Sequence, residues 1–344
     1  MLRTQIRGSR SEGETLLQEN RTLLQVLGRL QQGTHPATRA TIARLVVQAV
    51  NDVVGPPVED SALADKVAAP ASELSEVGFT RLGQLLETAQ VEDIAAWLSG
   101  RPVFNGHSQN HSDLVPRRIG DGAEAHFFGC YSQDDIYGAP HLFELANHPL
   151  VLAIAGKYLG CIPTLYSMNL WWVFSGHPNP PAVTHQFHRD FDDFKWCTLF
   201  CYLTDVRIGA GEQEFVRFSH RYDLIRQRKK LDKAQLDRLF TETGYKHQDG
   251  IDDLFKDDIV VIEGPAGSAI LADTLGYHRG VPPTTGHRLM FWARYGLYAN
   301  PTTMVGSGIG RHRTRLKQRL SDRPFVNYIN RVYLGPLPRL VFDH

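Results

Sequence analysis

From Leu165 onward the apolar residues come in short runs of aromatic and β-branched character, and this punctuation restricts the fold more than any other feature of the 344-residue chain. The runs are LYSMNLWWVF (165–174), HQFHRDF (185–191), WCTLFCYLT (196–204), EFVRF (214–218), DIVVIEG (258–264), SAILAD (268–273) and RLMFWARYGLY (288–298). Each is strand-length, and Gly, Pro and Asp separate them, which is the pattern of an antiparallel barrel or jelly roll. One interval breaks the pattern. Residues 221–256 are charged and helical in character, so a helical insertion is expected between strands.

The chain ahead of Leu165 reads differently. Residues 15–54 space Leu, Val and Ile at three and four, broken near Gly33 and Pro36, which predicts two amphipathic helices. GPPVEDSALADKVAAPASE (55–73) reads as a linker or exposed traverse with a boundary near residue 72. GFTRLGQLLETAQVEDIAAWLSG (78–100) predicts a short strand and a helix, and HLFELANHPLVLAIAGKYLG (141–160) a helix ending at Gly160. The expected division is an N-terminal helical segment and linker (1–72), a main domain (73–305) and a basic C-terminal extension (306–344). In that extension GRHRTRLKQR (310–319) is expected to be a solvated helix face.

Charge and cysteine usage narrow the partners. Lys plus Arg and Asp plus Glu each number 37, so no net field favours nucleic acid or an anionic membrane, and a small-molecule partner is expected. No stretch approaches the roughly 18 apolar residues of a membrane span, no secretory signal is legible, and Phe342-Asp343-His344 is no peroxisomal address. Four cysteines without a CxxC suit a reducing compartment, so the cytoplasm is the expected location. Oligomeric state is not legible.

His188-Arg189-Asp190 carries the first chemical signal. In extended backbone residues i and i+2 point the same way, so the imidazole of His188 and the carboxylate of Asp190 converge on one ion. Two imidazoles and one carboxylate on one face hold a metal and leave positions open. Chance alone supplies about one or two His-x-acid triplets in such a composition. His111-Ser112-Asp113 has the same spacing but lies in a polar, turn-forming stretch, and His188 has the better context between strand-like runs. The third ligand is expected from a later strand, and His278 follows SAILAD. Ten residues further, Arg288 opens the strand RLMFWARYG, where a buried guanidinium is costly unless it meets an anion.

These segments resemble the phytanoyl-CoA dioxygenase family of iron(II)/2-oxoglutarate oxygenases. The resemblance runs from about Val77 to Ala299 and rests on HRD (188–190), FCYLTDV (200–206), EFVRFSHR (214–221) and HRGVPPTTGHR (278–288). It implies a double-stranded β-helix (jelly roll), mainly β with flanking helices. It makes His188, Asp190 and His278 the iron ligands and Arg288 the anchor for the distal carboxylate of 2-oxoglutarate, with Thr198 and Tyr202 facing that co-substrate. The implied reaction consumes O2 and 2-oxoglutarate, releases succinate and CO2 and oxidises a small organic molecule or metabolic intermediate, with ascorbate as reductant in vitro. An intact Asp190 implies hydroxylation or another oxidation in place of halogenation. His185 stands where many members have Gln, and Phe218-Ser219-His220 replaces the usual Gly-Ser-His turn. Two other readings stay open, a cupin-type metalloenzyme that does not use 2-oxoglutarate and an inactive binding protein that retains the fold.

Neighbouring residues carry two readings each. His185, three before His188, points to the other side of an extended chain and is structural or touches substrate. Arg279 forms an ion pair behind the site or meets an anionic substrate. Trp171, Trp172, Trp196 and Trp292 read as barrel packing. His220 and His287 read as turn or surface residues, and Cys197 and Cys201 as buried filler.

Overall fold

The computed structural model describes residues 34–57, 61–105, 117–177, 185–241, 250–298 and 324–334. The predicted helix before Gly33, the His111/Asp113 pair and the basic run at 310–319 lie outside these residues.

Two antiparallel sheets form the centre. The larger has the order β1 (Phe79–Gln84), β7 (Ser268–Ala272), β4 (Trp196–Tyr202), β9 (Arg288–Gly296), β3 (Thr164–Val173), β2 (Phe128–Cys130). The smaller has β6 (Ile259–Ile262), β5 (Gln213–Val216) and β8 (His278–Gly280). Along β9, Leu289, Phe291, Ala293 and Tyr295 pack into one core, whereas Met290 and Trp292 pack into another. Along β4, Cys197, Leu199 and Cys201 alternate in the same way with Phe200 and Tyr202. The first core lies beneath helices. The second joins the larger sheet to Phe215 and Ile262 of the smaller one. A sheet covered on both faces has no wet side, which is why these strands read as continuous apolar runs and not as strict alternation.

Helices Pro36–Val54, Ala64–Val77, Thr88–Leu98, Gln133–Gly138, Leu142–Ala146 and Pro149–Leu159 precede β3. The run HLFELANHPLVLAIAGKYLG is two helices, because Pro149 cannot donate to a preceding carbonyl and instead occupies the first turn of a new helix. That helix stops at Gly160, whose φ of 88° is left-handed backbone open to glycine. The expected linker differs from its reading. Residues 64–77 are a helix that crosses residue 72 unbroken and buries Val67, Ala71 and Leu74, even though Pro70 interrupts its hydrogen-bond ladder. Its Ala, Leu, Glu and Lys are strong helix formers, and the buried face offsets what the proline costs.

The insertion is helical over Tyr222–Lys229, Lys233–Thr241 and Ile251–Phe255. Ile225, Leu236, Phe240, Ile251 and Phe255 pack on Phe187 and Tyr277, so the insertion seals the outer side of the segments that bear His188 and His278. HQFHRDF is not a continuous strand; it contributes one bridge, His188 to His278. Among the described residues no helix is long and apolar enough to cross a membrane.

Candidate metal centre

His188 and His278 exchange backbone hydrogen bonds, each N–H donating to the other's carbonyl at 3.0 Å. Directly paired residues send their side chains to the same side, and the ring centroids lie 4.2 Å apart. Two residues on, the Asp190 N–H donates to the Thr274 carbonyl at 2.8 Å, which returns its carboxylate to that side. One ligand atom from each of His188, Asp190 and His278 lies within 4.8 Å of the others, an arrangement able to hold a metal ion.

The imidazoles are set for that role by their far nitrogens. His188 Nδ1 donates to the Gln186 carbonyl and His278 Nδ1 to the Gly276 carbonyl, both at 3.0 Å. A carbonyl accepts only, so the proton resides on Nδ1 and the lone pair lies on Nε2, the nitrogen that would ligate. His278 Nε2 lies 3.7 Å from Asp190 Oδ2. Burial, reinforced by His188, pushes His278 down to about 4, which keeps its ring neutral. Burial alone would raise Asp190, but His278, Arg294, His188 and a hydrogen bond from Thr274 outweigh it and hold the carboxyl below its usual range. The donor set is thus two nitrogens and one carboxylate oxygen on one side of a cavity, which suits a first-row divalent metal with open positions.

That cavity measures about 230 Å³ and is bounded by the triad, Arg288, Arg294, Gln213 and a wall of Phe128, Trp171, Val173, Phe200, Met290 and Trp292. Arg288 is 4% exposed. Its Nη1 donates to the Gly211 carbonyl and, with the Gln213 amide turned to present its oxygen, to Gln213 at 2.9 Å. Its Nε is buried without an acceptor, and among the described residues no carboxylate forms an ion pair with it. Burial pulls its pKa down, against the pull of Tyr202 and Glu212. Gly280 lets the backbone pass close to the guanidinium, since a Cβ there would sit 3.1 Å from both Nη atoms. A buried cation with spare donors beside three side chains able to hold a metal is chemically suited to an anion.

The remaining predicted residues are placed as follows. Thr198 is fully buried and lies 3.4 Å from the Thr274 hydroxyl, below the triad and outside the cavity wall. The Tyr202 hydroxyl donates to the Ile262 carbonyl and accepts from the Gln213 N–H, so it is used within the fold, one residue from the cavity. His185 Nδ1 lies 2.6 Å from the Gly280 carbonyl, and its ring stacks on Phe128. Arg279 points away and pairs with Glu214 at 2.6 Å and Asp252 at 3.0 Å. Trp171 and Trp292 line the cavity, while Trp172 and Trp196 turn elsewhere, to the Tyr131 and Thr274 hydroxyls. His220 is held by the Ser75 carbonyl and His287 by Ser175. All four cysteines are buried and none forms a disulfide, and burial pushes the Cys201 thiol up to about 12.

Arg294 and Asp192 were missed by the sequence reading. Arg294 lies 3.1 Å from Asp192 and 3.6 Å from Asp190, tying the carboxylate of the candidate metal group to a second acid. A signal existed: Arg294 shares the apolar strand of Arg288, six residues on and therefore on the same face.

No family model matches the chain, and no curated protein matches its sequence. Among solved structures it is similar to the non-heme alpha-ketoglutarate-dependent epimerase SnoN of nogalamycin biosynthesis, with 18% identity, TM-score 0.46, and coverage of 69% of this chain and 84% of SnoN. It is also similar to HygX from Streptomyces hygroscopicus, with nickel and 2-oxoglutarate bound (15%, 0.42, 67% and 86%), and to EctD from S. alaskensis (15%, 0.46, 70% and 79%). Likenesses at this level assign neither a family nor an activity, and the case for function rests on the residues of the cavity.

Proposed function

We propose that the chain is an iron(II)- and 2-oxoglutarate-dependent dioxygenase of the double-stranded β-helix type, related to the phytanoyl-CoA dioxygenase family, that hydroxylates a small organic molecule. The observation that carries this reading is the coexistence, in one cavity, of the His188/Asp190/His278 donor set and the buried Arg288, which has no carboxylate partner among the described residues. Iron with 2-oxoglutarate and O2 supplies oxidative decarboxylation, giving succinate and CO2, coupled to oxidation of substrate. The protein's own residues hold and orient. His188 and His278 present Nε2 because their Nδ1 protons are committed to carbonyls, and Asp190 is kept ionised by Arg294 and the hydrogen bond from Thr274. Arg288 offers its open N–H groups to the distal carboxylate of the co-substrate, while Gln213 and Gly211 fix the guanidinium plane. The apolar wall and the insertion keep water away from the reacting groups.

In this reading Thr198 supports the site through Thr274, Tyr202 fixes Gln213, and His185 fixes the Gly280 carbonyl beside Arg288. The residue 73–305 domain, with helices before it, is the catalytic unit, and the cytoplasm is its proposed location. The test is succinate formation from 2-oxoglutarate with Fe(II), ascorbate and O2 beside a His188→Ala control and a panel of candidate substrates. In the absence of turnover, anaerobic titration of the iron-loaded protein with 2-oxoglutarate is followed by a metal-to-ligand absorption band. A folded, metal-loaded sample that fails to bind 2-oxoglutarate refutes the proposal.

A further inference from the structure

The cavity contains two arginines, yet they stand in different electrostatic positions. Arg294 is compensated: its guanidinium is 3.1 Å from Asp192 and 3.6 Å from Asp190, both set in the segment that follows His188. Asp192 is further tied to the Tyr166 hydroxyl at 3.3 Å, so the pair cannot swing apart without breaking a second contact. Arg288 is the cation that the co-substrate's distal carboxylate would neutralise. With Arg288 so engaged, no cation among the described cavity residues remains for a second anion. An anionic substrate would then meet no unpaired cationic side chain among these residues, and an unpaired charge in a largely buried site is expensive.

The rest of the wall is apolar and partly planar. Trp171 on β3 and Trp292 on β9 meet edge to face with centroids 4.7 Å apart, and Phe128 packs on Trp171 with centroids 5.7 Å apart. Phe200 and Met290 continue the surface toward Arg288. Trp171 is only half-buried, so part of its indole faces the cavity. At about 230 Å³ the space is below the roughly 300–1,000 Å³ of drug-sized ligand sites and is shared with the co-substrate at Arg288, so only a compact group enters it.

We propose that the group entering this cavity is uncharged and flat, an aromatic or unsaturated ring seated against Trp171 and Trp292, and that Arg294 acts as a positioning residue held by Asp190 and Asp192 and not as a substrate-anion anchor. This rests on the reading of Arg288 as co-substrate anchor for the intact site, and the test is arranged to separate the two. The probes are naphthalene-2-carboxamide and 2-naphthoate, nearly identical in shape and different in charge. Binding is measured by calorimetry in two settings: the Ni(II)-loaded protein saturated with 2-oxoglutarate, and metal-free Arg288→Gln protein, where no free cation competes for naphthoate whatever Arg288 does in the wild type.

The expected result in both settings is saturable binding of the amide at least about tenfold tighter than naphthoate, from the missing counter-charge. Trp171→Leu weakens the amide by about tenfold or more, from the lost aromatic contact, while circular dichroism and nickel affinity stay unchanged. Arg294→Gln leaves amide affinity within about threefold but lowers nickel affinity, because Asp190 loses its tether. Naphthoate bound as tightly as the amide, no saturable amide binding, or an amide affinity indifferent to Trp171 overturns the proposal. Failure of 2-oxoglutarate to bind the nickel protein overturns the cofactor reading alone, since the Arg288→Gln setting still reports on ring recognition.

Discussion

Replacing Arg288 with Met separates binding from stability. In the wild type Nη1 is committed to the Gly211 carbonyl and Gln213, whereas Nε is buried without an acceptor and no carboxylate forms an ion pair with the guanidinium among the described residues. An incoming carboxylate therefore gains charge-assisted hydrogen bonds worth about 1.5–3 kcal/mol each. Two such bonds set a loss of about 3 kcal/mol or more for the Met variant, and at 1.4 kcal/mol per decade the 2-oxoglutarate dissociation constant rises by about two orders of magnitude. Stability responds differently. Removing a buried cation that has no ion-pair partner is favourable, and leaving the Gly211 carbonyl without its donor costs about 1–3 kcal/mol, so the two effects offset to within about 2 kcal/mol. Anaerobic titration of the Fe(II) protein with 2-oxoglutarate gives the first quantity, and urea unfolding of the metal-free protein gives the second. Arg288→Lys keeps the charge without the planar fork and falls between. If Arg288→Met binds 2-oxoglutarate within about threefold of wild type, the anchor assignment is wrong. A stability loss of about 4 kcal/mol or more would show that the guanidinium is a structural group whose partner was misjudged.

His188→Ala and His278→Ala each lower Co(II) or Ni(II) affinity by about a hundredfold or more, read by competition with a chelator, because two donors no longer close a face; unchanged affinity would place the metal elsewhere. Gly280→Ala puts a methyl 3.1 Å from both Arg288 Nη atoms and raises the apparent KM for 2-oxoglutarate by about tenfold with metal affinity intact, whereas an equal loss of both would mean general distortion. Burial raises the fully buried Asp193 to about 7 despite hydrogen bonds from the Phe194, Leu297 and Tyr298 N–H groups. The unfolded chain releases this proton near 3.8 and the folded chain only near 7, so its contribution is full below about pH 4 and is lost as pH rises to about 7, a change of up to about 4 kcal/mol. Asp193→Asn, whose side-chain oxygen still accepts from Leu297, flattens this arm of the pH–stability curve; an unchanged slope between pH 4 and 7 would refute the buried, protonated carboxyl.

Local patterns carry their meaning in the sequence. The strand-length apolar runs mark β3 to β7 and β9, the i, i+2 spacing of His188 and Asp190 expresses the geometry of extended backbone, and Arg288 is conspicuous because a charge opening a buried strand demands an anion. The helix at 64–77 is not legible because its segment reads as a Pro/Ala/Ser-rich linker, while the apolar face that orders it is visible only against the neighbours it packs on. Residues whose meaning depends on a distant partner were out of reach. Arg279 becomes a structural residue only when β5 and the insertion bring Glu214 and Asp252 to it, and the Tyr202 hydroxyl is consumed by Ile262 and Gln213 across two sheets. Arg294 acquires its tie to Asp190 and Asp192 only when β9 runs beneath the segment that bears them. The sequence by itself determined the strand-forming segments and the spacing of the candidate ligands His188 and Asp190, because these depend on residues a few positions apart. The tertiary structure alone decided which charges are compensated and which remain to meet a ligand, because compensation is a Coulombic property of distance in space and not of separation along the chain.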